Sequence, residues 1–153
     1  MDHSLGTLTP CKVAFIAHDT LRGFMRAHPR IGDAFWRETL IDAAVFREWM
    51  AGIGRRDAPT RIAHLFCEMF VRMQAIGLAN GNTCPMPVTQ AELADALGLS
   101  TVHVNRSLQH LRGLDLIELR GGRITIKDWD GLQAAGEFEP TYLHLRPSAA
   151  EAA

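Results

Sequence analysis

What this 153-residue chain lacks narrows its function before any motif is considered. No run approaches the roughly 18 to 20 apolar residues that a membrane-spanning helix needs. The acidic start at Met1, Asp2 and His3 lacks the basic flank of a secretory signal, so the expected location is cytoplasmic. Cysteine is scarce: Cys11, Cys67 and Cys84 are three, far apart, and show no Cys-x-x-Cys spacing. They read as reduced thiols in core or loop positions rather than as zinc or redox ligands. Charge of one sign is lacking too. A formal net charge of −1 gives no global attraction to phosphate, so nucleic-acid binding requires a local concentration of Lys and Arg. There is no Gly-x-Ser-x-Gly nucleophile motif and no phosphate-cradling glycine loop. Asp128, Asp130, Glu137 and Glu139 are scattered carboxylates, and His64, His103 and His110 form no His-x-x-x-His pair. The chain is expected to be no enzyme and to hold no metal or other cofactor.

What remains is apolar material arranged with helical periodicity. Residues 1–17 read as one or two short strands, with Leu5, Leu8, Val13, Phe15 and Ile16 broken by Gly6 and Pro10. Two strands make no stable sheet, so this stretch is expected to be the end of a larger β-structure or an edge that needs cover. A short helix, capped by Asp19 or Thr20, is predicted through Leu21, Phe24 and Met25 as far as Pro29, and a long helix from about Arg30 to Ile53. The long helix carries two apolar seams, Trp36–Leu40–Ala43–Met50 and Ile41–Val45–Trp49–Ile53. A helix apolar on two faces needs two partners: the body of its own chain and the same helix of a second subunit. Gly54 interrupts, Asp57 caps, and a third helix from about Ala58 to Ile76 presents Ile62, Leu65, Phe66, Met69, Phe70, Met73 and Ile76, ending at Gly77. Ala79 to Pro87 reads as a loop.

The densest signal follows. Thr89 and Glu92 form a capping box in which hydroxyl and carboxylate satisfy free N–H groups at a helix start. Leu93, Ala94 and Leu97 face inward, and Gly98 stands where the chain must turn sharply. Ser100 caps a second helix whose inner face is Val104, Leu108 and Leu111. Its outer face is Thr101, His103, Asn105, Arg106, Gln109 and Arg112, none of them acidic. A helix entering a major groove needs that combination. Leu116 to Arg120 and Arg123 to Lys127, joined by Gly121-Gly122, read as a hairpin with Arg120 and Arg123 at its tip and Lys127 nearby. Asp130 reads as the cap of a last short helix over Leu132 to Ala135. A basic helix face alone is usually only solvated. The succession of helix, glycine turn, helix and basic-tipped hairpin is far more specific.

The run from Val88 to Arg112, VTQAELADALGLSTVHVNRSLQHLR, resembles the Crp/Fnr family of bacterial transcription regulators; the likeness continues through Leu116-Ile117 into the hairpin and upstream over Arg61 to Leu65 and the long helix. The resemblance implies a mainly α, α+β chain: a long dimerisation helix, then a winged helix-turn-helix, preceded by a remnant of the family's β-roll. The corresponding division is 1–29 remnant, 30–56 dimerisation helix, 57–146 DNA-binding domain and 147–153 flexible tail. It implies double-stranded DNA as partner, and RNA polymerase as a further one. Arg106 stands where family members read a guanine, and Thr89 where a phosphate tends to be touched. Val102 stands where the family commonly has glutamate, which alters the expected target. The family's effector pocket would lie upstream of the last strands of the roll, so no cyclic nucleotide is expected to bind, and no N-terminal cysteine cluster is present for an iron–sulfur centre.

The expected base contacts are Thr101, Val102, His103, Asn105 and Arg106. The expected phosphate contacts are Thr89, Gln90, Ser100, Arg112, Arg120, Arg123 and Lys127. The expected dimer contacts are Trp36, Leu40, Ala43, Arg47 and Met50. The favoured function is a homodimeric, sequence-specific transcription regulator on a near-palindromic site. The alternative is an effector-less partner that heterodimerises with a full-length relative. A small effector-binding sensor would need a closed β-roll that residues 1–17 cannot supply.

Overall fold

The computed structural model describes residues 6–145. The termini, with Leu5 and the tail over 147–153, lie outside the described residues. Helix α1 (His18–Ala27) leads into α2 (Pro29–Arg55), and α3 (Ala58–Ala75) follows across a short bend. Strand β1 (Thr83–Pro85), helices α4 (Gln90–Leu97) and α5 (Thr101–Gly113), strands β2 (Ile117–Arg120) and β3 (Arg123–Ile126), helix α6 (Trp129–Ala135) and a 3₁₀ turn over Pro140–Leu143 complete the order.

α3 is the centre of the fold. Asp57 caps it by accepting the Thr60 N–H at 3.0 Å, and the helix is then surrounded by α5, α6 and β1. Ile62, Phe66 and Phe70 are buried as expected, but so are Ala63, His64, Cys67 and Glu68 on the other faces. Ile76, expected inside, is exposed past the helix end. A single-face periodicity cannot show that a helix is covered on several sides.

Burying Glu68 and His64 requires partners. Glu68 Oε2 accepts from Trp49 Nε1–H of α2 at 2.9 Å and from the Tyr142 hydroxyl at 2.6 Å, and Oε1 lies 3.0 Å from Arg72 Nε. His64 Nδ1 meets the Gly136 carbonyl at 3.0 Å, and its Nε2 lies 3.0 Å from the Tyr142 oxygen. Arg56 donates to Glu48 at 2.6 Å and reaches Glu137 at 3.4 Å. Glu68 therefore ties both α2 and the C-terminal 3₁₀ turn to α3.

Four expectations are corrected. Residues 6–17 contain no strand: Val13, Phe15 and Ile16 are 68%, 90% and 61% exposed, and no strand among the described residues pairs with this stretch. The α1 N-cap is Ala17, without a side-chain cap, while Asp19 sits in the first turn 3.4 Å from Arg22. α2 runs through Gly54 to Arg55. Asp128, not Asp130, caps α6 by accepting the Gly131 N–H at 3.0 Å.

The stretch expected as a loop supplies a third strand. β1 pairs antiparallel with β3, Thr83 opposite Thr125, giving the order β1-β3-β2. The Asn82 side chain donates to the Ile126 carbonyl at 2.6 Å, the Thr83 and Thr125 hydroxyls meet at 2.9 Å, and Cys84 is fully buried. Pro85 and Pro87 disguise the strand in the sequence, yet proline is tolerated on an edge, where a missing N–H breaks no inner ladder.

The two seams of α2 separate. Val45 and Trp49 pack on the core, and Ile41 is half-buried. Trp36, Leu40 and Met50 are 67%, 53% and 72% exposed, with Ala43 half-buried and Arg47 exposed between them. Ile53, from the second seam, is also exposed. No described helix is long and apolar enough to cross a membrane.

Candidate nucleic-acid interface

The site begins at the capping box. Thr89 N–H donates to Glu92 Oε2 at 2.6 Å and Glu92 N–H to Thr89 Oγ1 at 3.2 Å. The Thr89 backbone and hydroxyl hydrogen bonds hold the Glu92 carboxyl below its ordinary range. Leu93, Ala94 and Leu97 are buried. α4 ends at Gly98, whose φ of 61° lies in the left-handed region. Arg61 of α3 donates to the Leu97 carbonyl at 3.0 Å, placing a cation at the negative end of α4. That brace is invisible to periodicity, because 36 residues separate its ends.

Leu99 N–H returns to the Ala94 carbonyl at 2.9 Å, and Ser100 Oγ then accepts His103 N–H at 3.3 Å to start α5. Val104, Ser107, Leu108 and Leu111 are buried, whereas Thr101, Val102, His103, Asn105, Arg106, Gln109 and Arg112 are exposed. Between Ala96 and Leu114 no residue is acidic. Asn105 Nδ2 lies 3.4 Å from Gln90 Oε1, joining the outer face of α5 to the first turn of α4.

The hairpin has the expected two-residue turn, with Gly121 and Gly122 at φ 58° and 69°. Positive φ at both positions is the turn that matches strand twist and favours glycine. Arg120 and Arg123 face each other across the last register pair. Like charges directly opposite destabilise a hairpin, so this arrangement suits an anion at the tip. Gln90, Arg112, Arg120 and Arg123 line one cleft between α5 and the hairpin, over Met86, Leu93 and Leu108. Three arginines thus line it.

Lys127 departs from the expected group. It follows the Ile117–Ile126 pair at the open end of the hairpin, away from the tip, and its ammonium donates to Asp115 Oδ1 at 2.7 Å. Asp115, on a left-handed backbone at φ 56°, was not singled out in the sequence. Among the described residues no group of three His, Cys, Asp or Glu side chains could hold a metal ion.

Comparisons with known proteins agree with this geometry. Residues 60–135 match the Crp-like helix-turn-helix domain family. The transcriptional activator protein FnrL of Cereibacter sphaeroides is 34% identical over 105 residues, covering 67% of this chain and 42% of FnrL. A probable transcriptional activator of Rhizobium leguminosarum is 26% identical over 126 residues, 82% of this chain and 52% of that protein. The chain thus spans about half the length of these curated relatives. FixK2 from Bradyrhizobium japonicum shares the fold with a TM-score of 0.70 at 21% identity, over 78% of this chain and 59% of that one. A CRP-family regulator from Thermus thermophilus aligns with a TM-score of 0.53 at 20% identity, over 80% of this chain and 56% of that one. With its capping box, glycine turn and hairpin inside the matched region, the chain belongs to the Crp/Fnr family of transcription regulators.

Proposed function

We propose that this chain binds double-stranded DNA as a homodimer, with α5 in the major groove and the hairpin tip on the flanking backbone. The observation that carries this reading is the cleft where Arg112 of α5 meets Arg120 and Arg123 of the hairpin, beside an acid-free outer helix face. In this reading Thr101, Val102, His103, Asn105 and Arg106 meet base edges. Thr89, Gln90, Ser100, Arg112, Arg120 and Arg123 meet phosphates, which fix register while the bases supply sequence. Lys127 stands apart from this group, at the open end of the hairpin with its ammonium paired to Asp115.

The seam of Trp36, Leu40, Arg47 and Met50, all exposed, with half-buried Ala43 among them, supports association through α2. A second copy there sets two recognition helices about 34 Å apart, one DNA turn, on a near-palindromic site. That the curated relatives are named transcriptional activators favours regulation of transcription as the outcome.

The test is selection from random duplex DNA at two salt concentrations. A two-fold symmetric motif whose binding weakens steeply with salt is the expected result. No enrichment, with no salt-sensitive binding, would overturn the reading. Self-association only in mixtures with a longer relative would instead favour the heterodimeric partner.

A further inference from the structure

Val102 is the one large apolar side chain on the exposed face of α5, 58% exposed in the first turn of the helix. Its neighbours on that face, Thr101, His103, Asn105 and Arg106, are all polar. It packs against nothing in the core, whose buried and partly buried members do not include it. Local helix stability does not account for it either. An acidic residue in a first turn interacts favourably with the positive end of the helix dipole, and a β-branched residue is a poorer helix former than Ala, Glu or Gln. An isolated exposed valine is ordinary on a protein surface. What sets this one apart is its position one turn before Arg106, on the same face.

Two further properties bear on what it would meet. A valine in a helix holds essentially one rotamer, so its two methyl groups stand at a fixed position. Helical side chains also lean towards the helix N-terminus, so Val102 projects towards the Ser100-capped end that leads into a groove. On the major-groove edges of the four bases only one apolar group exists, the 5-methyl of thymine.

We infer that Val102 is a specificity-determining residue that packs on a thymine 5-methyl group in each half-site. The thymine lies about two base pairs from the base that Arg106 contacts, because four residues rise about 6 Å along a helix and base pairs repeat every 3.4 Å or so. This inference rests on the placement of α5 in the major groove. It goes further by naming the chemical group read and the residue that reads it.

The experiment replaces each thymine of a selected binding sequence, one at a time, with uracil, which keeps every hydrogen-bonding group and removes only the methyl. Binding is measured for the wild type, Val102→Ala and Val102→Ile. One thymine in each half-site is expected to lower wild-type affinity about fourfold on loss of its methyl, the effect of one buried methyl-sized group. Val102→Ala should bind thymine and uracil alike at that position, while Val102→Ile keeps the difference. If no uracil substitution weakens the wild type, or if the penalty persists in Val102→Ala, Val102 does not read a methyl group. If wild-type protein enriches no sequence at all, the DNA-binding reading falls, and this inference with it.

Discussion

In the proposed interface Arg106 reads a base, and little of that role lies in its own surroundings. It is exposed and free of ion pairs among the described residues, so its guanidinium is open to a bidentate contact with a guanine edge. Arg106→Ala should cost about 1 to 3 kcal/mol of specific binding and relax preference at one base pair, read by competition between cognate and altered duplexes. His64 is the opposite case, only 6% exposed and facing Glu48, Glu68, Arg56 and Tyr142. Burial holds its imidazole below the ordinary 6.5, despite the Gly136 carbonyl and the two carboxylates that favour the cation. The folded chain thus resists a proton that the unfolded chain accepts. Its contribution to stability is complete above about pH 6.5 and is lost as pH falls from there through the folded value. Thermal melts at pH 7.5 and 5.0 should show a smaller acid loss for His64→Gln than for the wild type.

At the scale of the element, α4 and the hairpin make different demands. α4 has only eight residues and cannot stand on propensity, so its capping box and the Arg61 brace hold it. Thr89→Ala removes the hydroxyl that accepts from Glu92 N–H, and should cost about 1 kcal/mol in chemical denaturation. If Thr89 also meets a phosphate, nonspecific DNA affinity drops with it. The hairpin puts two arginines opposite each other at its tip, an arrangement that costs stability and that the proposed phosphate contacts would offset. Arg123→Ala is expected to weaken binding to all sequences about equally and to reduce the slope of log K against log salt by about 1, leaving the preferred motif unchanged. A full slope after the substitution would remove the tip from the phosphate contacts.

For the whole molecule, the arrangement of α2 against the DNA-binding unit decides how two copies would meet DNA. One seam of α2 is fastened to the core through Trp49 and Glu68, and the other stays open along Trp36, Leu40 and Met50. Leu40→Glu puts a charge into that open seam while touching none of the core, so the fold should survive by circular dichroism. Sedimentation should then show a monomer, with loss of tight binding to a two-fold site and retained weak binding to a single half-site. A dimer of unchanged stability would place the association elsewhere.

Local grammar alone determined the helix-turn-helix and the hairpin. The Thr89–Glu92 box, Gly98, the Ser100 cap and Gly121-Gly122 each act within a few residues, so their signals survive in one dimension. The two seams of α2 were legible for the same reason, since periodicity is a property of the helix itself. Tertiary structure decided what depends on partners distant in the chain. It made β1 a strand by offering it the edge of β3, and it left residues 6–17 without strand structure where no such edge was offered. It drew Lys127 to Asp115, buried Glu68 between Trp49 and Tyr142, and set Arg61 under α4. Hydrogen bonds and ion pairs act over about 3 Å, whatever the separation along the chain, so neither composition nor period carries their addresses.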